Sequence, residues 1–311
     1  MKSPAPGAFE ISSEVSEAIA RGAPLVAIES AVFSHGLPKA VAPATARRLD
    51  EIVRAGGATP ALVAVKRGRV LVGGDPREIG YLFDPETVKI AERDLAVVTA
   101  RHQSGGTTVS ATAAVAAAVG IRVMATGGIG GVHCGVEESF DVSADLDALS
   151  RHRVVIVCAG AKAICDQAKT AEALETLGIT VVGYRTDTMP AFYARSNGLP
   201  VPHRAESAQE IAAIAHAKLD LGDGAALLVV QPVPERAAVD GRIVDEAVRA
   251  ALSKARAAGV RGGAVTPYLL KAVDAATGGR ALAANLALLE ANTGLAAAIA
   301  SAMRAGAAAH S

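Results

Sequence analysis

A lysine, a glutamate and a cluster of aspartates are the side chains of this sequence whose type and setting could do chemistry. Lys162 follows the apolar run RVVIVCAG and is expected to open a helix, where burial and neighbouring amides both disfavour a positive charge. A lysine so placed becomes a nucleophilic amine. The alternative is a solvated lysine early on a helix, although the small apolar flank CAGAKAI offers little reason to expose that position. Glu29 comes directly after the run PLVAI, so its carboxylate is either paired structurally or acts as an acid or base. In DVSADLD, Ser143 can cap a helix whose first turn holds Asp145, and Asp141 and Asp145 could then point into one site. Hard oxygen ligands of this kind suit Mg²⁺ or Mn²⁺ with several waters retained. A capped helix whose dipole favours acidic residues explains the same pattern without a metal.

Two glycine-rich segments stand beside these residues. Gly105-Gly106-Thr107-Thr108 precedes a long helical stretch, so its amides and hydroxyls could hold an anion at a helix N-terminus, or Thr could simply cap a tight turn. TGGIGGVH, residues 126–133, lacks the G-x-G-x-x-G order, and no GKS or GKT occurs, which excludes a dinucleotide fingerprint there and a P-loop. A backbone approach to a phosphate-bearing small ligand remains, with His133 as a donor at its end. Cys134, Cys158 and Cys165 have no metal-finger spacing and are expected as thiols in a reducing cytoplasm.

These residues need a scaffold that brings them to one edge. Short apolar runs at Leu25–Ile28, Leu62–Val65, Ala96–Val98, Val123–Ala125, Val154–Val157, Thr180–Gly183 and Leu227–Val230 read as strands. Between them Val41–Ala55, Thr107–Val119, Ala163–Leu177 and Ser207–Leu221 read as helices. Continuous apolar strands alternating with helices predict a mostly parallel sheet covered on both faces. The pair Ala64–Val65 and Val70–Val72 around Lys66–Arg69 reads as a hairpin, making the sheet mixed. The expected architecture is one three-layer α/β/α domain over residues 1–311. In such sheets ligands bind beyond the carboxyl ends of the strands, which is where Glu29, Thr126–His133 and Lys162 fall.

Composition narrows the class. The 311 residues carry 31 Lys plus Arg against 31 Asp plus Glu, so no basic excess is available to neutralise a nucleic-acid backbone. Five Phe, four Tyr and no Trp leave few platforms for stacking bases. The N-terminal MKSPAPGAFEISSEV has no apolar signal core, and no apolar run approaches the roughly 20 residues of a bilayer span, the alanine-rich stretch from Val109 to Val119 being too short. A small-molecule enzyme with neither a nucleic-acid nor a membrane partner is expected. The Ala- and Leu-rich C-terminal third is expected to offer more apolar helix face than the sheet can bury, which favours self-association.

The segments VAIES…SHGLP, GATPA, TTVSAT, MATGGIGGVH, FDVSADL, VVIVCAGAKAI, MPAFY, TPYLL and TGGRALAANLALL follow one another in this order. Together they resemble the pseudouridine-5′-phosphate glycosidase family, also known as indigoidine synthase A-like, over nearly the whole chain. The resemblance implies reversible cleavage of the C–C glycosidic bond of pseudouridine 5′-phosphate to uracil and ribose 5-phosphate, a divalent metal such as Mn²⁺, and a cytoplasmic homotrimer. By the same resemblance Lys162 matches the covalent nucleophile, Glu29 the proton donor and Asn285 an active-site amide. Asp141 matches the metal ligand, while Lys89, Val109, Ser143, Ala144 and Asp145 match substrate-contacting positions, and His133 is expected near the phosphate. The chain departs from the family pattern at Glu92, Cys134 and Gln231, beside the matched positions. A sugar or nucleoside kinase is the alternative among enzymes.

Overall fold

The computed structural model describes residues 8–260 and 265–309; the first seven residues, part of the stretch read for a signal, lie outside them. The strands are β1 (Phe9–Ile11), β2 (Leu25–Glu29), β3 (Thr59–Lys66), β4 (Arg69–Val72), β5 (Val88–Ile90), β6 (Gly105–Thr107), β7 (Val123–Ala125), β8 (Val155–Cys158), β9 (Thr180–Tyr184), β10 (His203–Ala205) and β11 (Leu227–Val230). The helices are α1 (Ser13–Ala20), α2 (Ala42–Ala55), α3 (Leu95–Ala100), α4 (Val109–Val119), α5 (Val136–Ser139), α6 (Ala144–Arg151), α7 (Gln167–Thr176), α8 (Ala208–Asp220), α9 (Gly241–Ala257), α10 (Val265–Ala276) and α11 (Arg280–Ala309).

The strands form one mixed sheet whose main path runs β1-β4-β3-β2-β7-β8-β11-β9-β10, with β5 and β6 beside β3. Its centre, β2-β7-β8-β11, is parallel throughout. Successive residues of these strands enter opposite cores, as a strand buried on both faces requires. Val26, Ile28, Val155, Val157, Leu227 and Val229 pack with α2, α8 and α11 on one side. Leu25, Ala27, Ile156, Cys158, Leu228 and Val230 pack with α1, α4, α6 and α7 on the other. The three-layer α/β/α reading is therefore correct. The hairpin is also present: β3 and β4 pair antiparallel, Val65 opposite Val70, around Arg67 and Gly68 with φ of 50° and 76°. Two successive positive φ values match the twist of the flanking strands.

Three expectations are corrected. Ala96–Val98 lies in helix α3, not in a strand. The Asp94 carboxylate accepts the Ala91 amide to start this turn, and Val97 is 47% exposed beside buried Val98, a one-sided burial that a central strand would not show. The helix expected from Ala163 begins only at Gln167, where the Asp166 side chain accepts the Lys169 amide as N-cap. In the C-terminal third, α11 packs on α2, α8, β7 and β8 with Leu288, Leu289, Ile299 and Met303 buried. It is long and apolar enough to cross a bilayer, yet it serves here as a core helix. The large apolar side chains exposed among the described residues are Val97, Phe140, Val142, Leu177 and Leu221, none of them in α9, α10 or α11.

Candidate active site

Four adjacent parallel strands deliver polar groups to one edge. Glu29 is the last residue of β2, Thr126 follows β7, Lys162 lies four residues beyond β8, and Gln231 follows β11. Glu29 is only 4% exposed, and the Thr126 hydroxyl donates a hydrogen bond to its Oε1. Burial pushes the Glu29 carboxyl above its ordinary range, against the pull of the nearby Lys162 charge and the Thr126 hydrogen bond.

Lys162 sits in a loop and does not open a helix. Gly160 turns the chain there with φ of +82°, and a Cβ at this position would collide with the Pro190 carbonyl oxygen, so only glycine fits. The Ile129 amide donates to the Gly160 carbonyl and the Lys162 amide to the Ile129 carbonyl, while the Gln167 side chain donates to the Lys162 carbonyl at 3.1 Å. The loop after β8 is thus stitched to the glycine-rich loop after β7. Lys162 is not at a helix N-terminus, since α7 begins five residues later at Gln167.

Glu29, His35, Lys89, Thr108, Gly127, Gly128, Lys162, Phe192 and Asn285 are among the walls of one cleft. Lys89, on β5 opposite Gly106, has its pKa lowered by burial and by Lys162. His35 comes from a π-helical turn, Val32–Gly36, with Nδ1 2.7 Å from the Ser34 hydroxyl; burial and Lys89 lower its pKa. Phe192 adopts a φ of 60°, unusual for a bulky residue, and a Cβ on Gly128 would meet its ring at 2.6 Å. Sequence reasoning assigns no role to His35, Phe192 or Asn292, and reads Thr108 and Thr126 only as members of their glycine-rich segments. His35 and Phe192 lie within SHGLP and MPAFY, and Thr126 is the first residue beyond β7, so their positions are the available signal. Asn292 follows Asn285 by seven residues, about two helical turns along one face.

The remaining predicted residues form a shelf beside the cleft. Residues 131–133 run antiparallel to 141–143: the His133 amide donates to the Asp141 carbonyl and the Ser143 amide to the Gly131 carbonyl. Asp141 Oδ2 lies 3.7 Å from His133 Nδ1, and the Asp141 side chain is 40% exposed. Burial lowers the His133 pKa, with Asp141 opposing and Lys162 and Lys89 adding to the shift. Ser143 caps α6 by accepting the Asp145 amide, as expected. Asp145, however, turns away from Asp141: it is 5% exposed and accepts the Ser110 amide at 2.9 Å and the Gly130 amide at 2.8 Å. The anion at the N-terminus of α4 is therefore the protein's own carboxylate, which ties that helix to the loop after β7. Val109 is wholly buried in the core, and its neighbour Thr108 faces the cleft instead. Ser143 and Ala144 are half-buried on the shelf.

Among the described residues no group of three or more His, Cys, Asp or Glu side chains converges as a cage for a metal ion. A single carboxylate open to water, as Asp141 is, fits a hard divalent cation that keeps most of its hydration shell. It does not fit a fully dehydrated structural ion.

The departures from the family pattern lie outside the cleft wall. Glu92 accepts both guanidinium nitrogens of Arg151 at 3.0 and 2.9 Å, and its Oε1 is 2.9 Å from the His152 ring. Cys134 borders a separate cavity with Cys165. Gln231 donates to Asn292 Oδ1 at 3.3 Å, and Asn292 in turn donates to the Thr126 carbonyl at 2.8 Å.

Comparison with known proteins places this arrangement. The family model described as indigoidine synthase A like protein matches residues 14–302. A pseudouridine-5′-phosphate glycosidase of Methylobacterium nodulans is 48% identical over 299 residues, covering 95% of this chain and 88% of its own. One of Symbiobacterium thermophilum is 48% identical over 298 residues, covering 94% of this chain and 97% of its own. Among solved structures, the prealnumycin C-glycosynthase AlnA in complex with ribulose 5-phosphate superposes with a TM-score of 0.89 at 35% identity, covering 97% of this chain and 98% of its own. An indigoidine synthase A-like protein of Thermotoga maritima gives 0.88 at 36% identity, covering 96% and 97%. With an ordered match that runs through the sheet, the cleft and its shelf, this chain belongs to the indigoidine synthase A-like family.

Proposed function

We propose that this protein is a pseudouridine-5′-phosphate glycosidase, acting as one catalytic unit over the chain and cleaving its substrate reversibly to uracil and ribose 5-phosphate. The observation that carries this reading is the meeting of Lys162 and Glu29 in one cleft, a nucleophilic side chain beside a buried carboxyl, in a chain whose relatives bear that name.

The chemistry demands such a pair. Pseudouridine joins ribose C1′ to uracil C5 through carbon, so no glycosidic heteroatom can be protonated and the two-carboxylate scheme of ordinary glycosidases does not apply. The neutral Lys162 amine adds at C1′ as the ribose ring opens, its ring oxygen gaining a proton. The nitrogen lone pair then expels uracil, whose C5 takes a proton from Glu29, and an iminium remains on Lys162. Water adds to that iminium and releases ribose 5-phosphate and the free amine. Overall one water is consumed and Glu29 is restored by the proton transfers of the cycle.

Lys89 and His133 supply positive or hydrogen-bonding groups for the phosphate, with the Ser143–Asp145 segment and the backbone at Val109 framing it. Asn285 offers an amide to the substrate at the opposite wall. Asp141 would hold Mn²⁺ through one carboxylate and retained waters, and the ion would contribute positive charge near the phosphate. A homotrimer fits the exposed Phe140 and Val142, which flank Asp141 and form an apolar step that a second copy would cover. The cytoplasm fits a substrate whose charged phosphate cannot cross a bilayer unaided. The kinase alternative finds no support, because the helix N-terminus best placed for a nucleotide phosphate is occupied by Asp145. Uracil release from pseudouridine 5′-phosphate, measured with and without Mn²⁺, tests the proposal; no release under either condition would overturn it.

A further inference from the structure

Glu29 needs more than proximity to deliver a proton: one oxygen must be held while the other meets the substrate. The only side-chain hydrogen bond to Glu29 among the described residues comes from Thr126, onto Oε1. The Thr126 main chain is itself fixed, with its amide donating to the Val157 carbonyl and its carbonyl accepting Asn292 Nδ2 at 2.8 Å. Asn292, 1% exposed on α11, also reaches the Gly127 carbonyl at 3.4 Å and takes the Gln231 side chain on its oxygen. Gln231 is anchored through its backbone N–H, which donates to the Cys158 carbonyl at the end of β8. Four elements, β11, α11, β7 and β2, are thereby linked through three polar side chains that end on the Glu29 carboxyl.

We propose that Gln231, Asn292 and Thr126 form a positioning relay that orients the Glu29 carboxyl, holding Oε1 and leaving Oε2 to carry the transferred proton. A threonine hydroxyl has one proton to donate. Once this is committed to Oε1, the acid proton of Glu29 belongs on Oε2. The tether from α11 keeps the Thr126 carbonyl, and with it the side-chain rotor, from turning away. Gln231, where the family pattern differs, is the outer member of the relay in this chain. The charged groups facing Glu29 are Lys162, Asp145 and Lys89, and they remain in place in the variants below. The inference rests on the glycosidase reading for the identity of the proton acceptor, but not for the relay itself.

The test follows Glu29 directly, by carboxyl ¹³C NMR of protein labelled at glutamate, with the signal assigned by its loss in Glu29→Gln. In Thr126→Val the carboxylate loses its donor, so the Glu29 titration moves to higher pH. The same variant loses roughly tenfold to a hundredfold in kcat, the scale of one hydrogen bond to a charged group, with KM little changed. Thr126→Ser restores both readouts, and Gln231→Met shifts both in the direction of Thr126→Val by a smaller amount. Should Thr126→Val fail to fold, Gln231→Met, far from the carboxyl and only partly buried, still decides. An unmoved Glu29 titration in every folded relay variant, or an equal shift in Thr126→Ser and Thr126→Val, overturns the relay. A wild-type protein that releases no uracil, yet shows the NMR shifts, upholds the relay and refutes the glycosidase reading.

Discussion

The wall built by β2, β7 and α11 and the shelf built by residues 131–145 each present a carboxylate at the same edge of the sheet, under opposite conditions. On the wall Glu29 is shut away from water with a single hydroxyl donor, and burial raises its affinity for a proton. On the shelf Asp141 stands at the surface beside His133, where water is plentiful. The difference teaches why two residues of one chemical type take different tasks. A dry carboxyl holds its proton to higher pH than an exposed one and can deliver it, whereas a wet carboxylate can share a hydrated cation. Asp145 adds a third case: it is as dry as Glu29, but two backbone amides engage it, and it works as a structural clamp.

Lys162 stands between wall and shelf, and its loss should have the largest effect. Lys162→Ala and Lys162→Arg should each reduce uracil release on the order of 10⁴-fold or more, since arginine keeps the charge but cannot deprotonate to a nucleophile. Borohydride added during turnover should leave a ribose-phosphate adduct on the peptide CAGAKAICDQAK of the wild type alone. Mass spectrometry that finds the adduct on Lys169, or appreciable turnover in the arginine variant, would break the assignment.

Glu29→Gln tests the dry wall. It should lower turnover by about 10²–10⁴-fold, the usual scale for a general acid. Its stability should move the other way. Because the folded-state pKa of Glu29 is raised, the folded protein holds this proton more tightly than the unfolded chain. Its contribution is complete below the ordinary carboxylate range and is lost as pH rises through the folded value. The midpoint of thermal unfolding of Glu29→Gln should therefore gain on that of the wild type as pH rises above the ordinary carboxylate range. A difference independent of pH would show that folding does not raise the Glu29 pKa.

Asp141→Ala tests the wet shelf and should have a smaller effect. Mn²⁺ binding, followed by the electron paramagnetic resonance of the free ion, should weaken at least about tenfold, and activity should fall with it, while the unfolding midpoint changes little. Full activity of this variant in a chelator would sharpen the shelf into a purely organic phosphate site. The smallest effect belongs to Glu92→Gln. This residue pairs with Arg151 and with the buried His152 ring, away from the cleft, and because glutamine keeps a carbonyl oxygen for them the change should lower the unfolding midpoint only modestly and leave kcat/KM unchanged. A large loss of activity would mean that α6, which carries Arg151, transmits to the shelf.

Much of the ground for this contrast is legible in the amino-acid sequence. Apolar runs of the right length predict a sheet buried on both faces, and the rule that ligands gather at strand carboxyl ends picks out Glu29, the loop after Ala125 and the loop before Ile164. Ala96–Val98 misleads because three apolar residues fit a strand or one helical turn equally well, and only the Asp94 capping contact decides between them. The helix placed before Gln167 fails for a related reason. CAGAKAI has helix-forming composition, but the close approach of Gly160 to Pro190 and the hydrogen bonds to Ile129 keep it out of a helix.

What the sequence by itself determined is the set of elements, their alternation and the chemistry available at their ends, because those depend on residue type and on spacing along the chain. Only the tertiary structure decided which carboxylate is dry, which is wet and which is clamped. Those outcomes depend on what folding brings near each group: Thr126 to Glu29, Ser110 and Gly130 to Asp145, and for Asp141 a partly exposed place on the surface. A pKa or a ligand preference is set by the medium within a few ångströms of the group, and folding creates that medium from residues that neither spacing nor periodicity brings together.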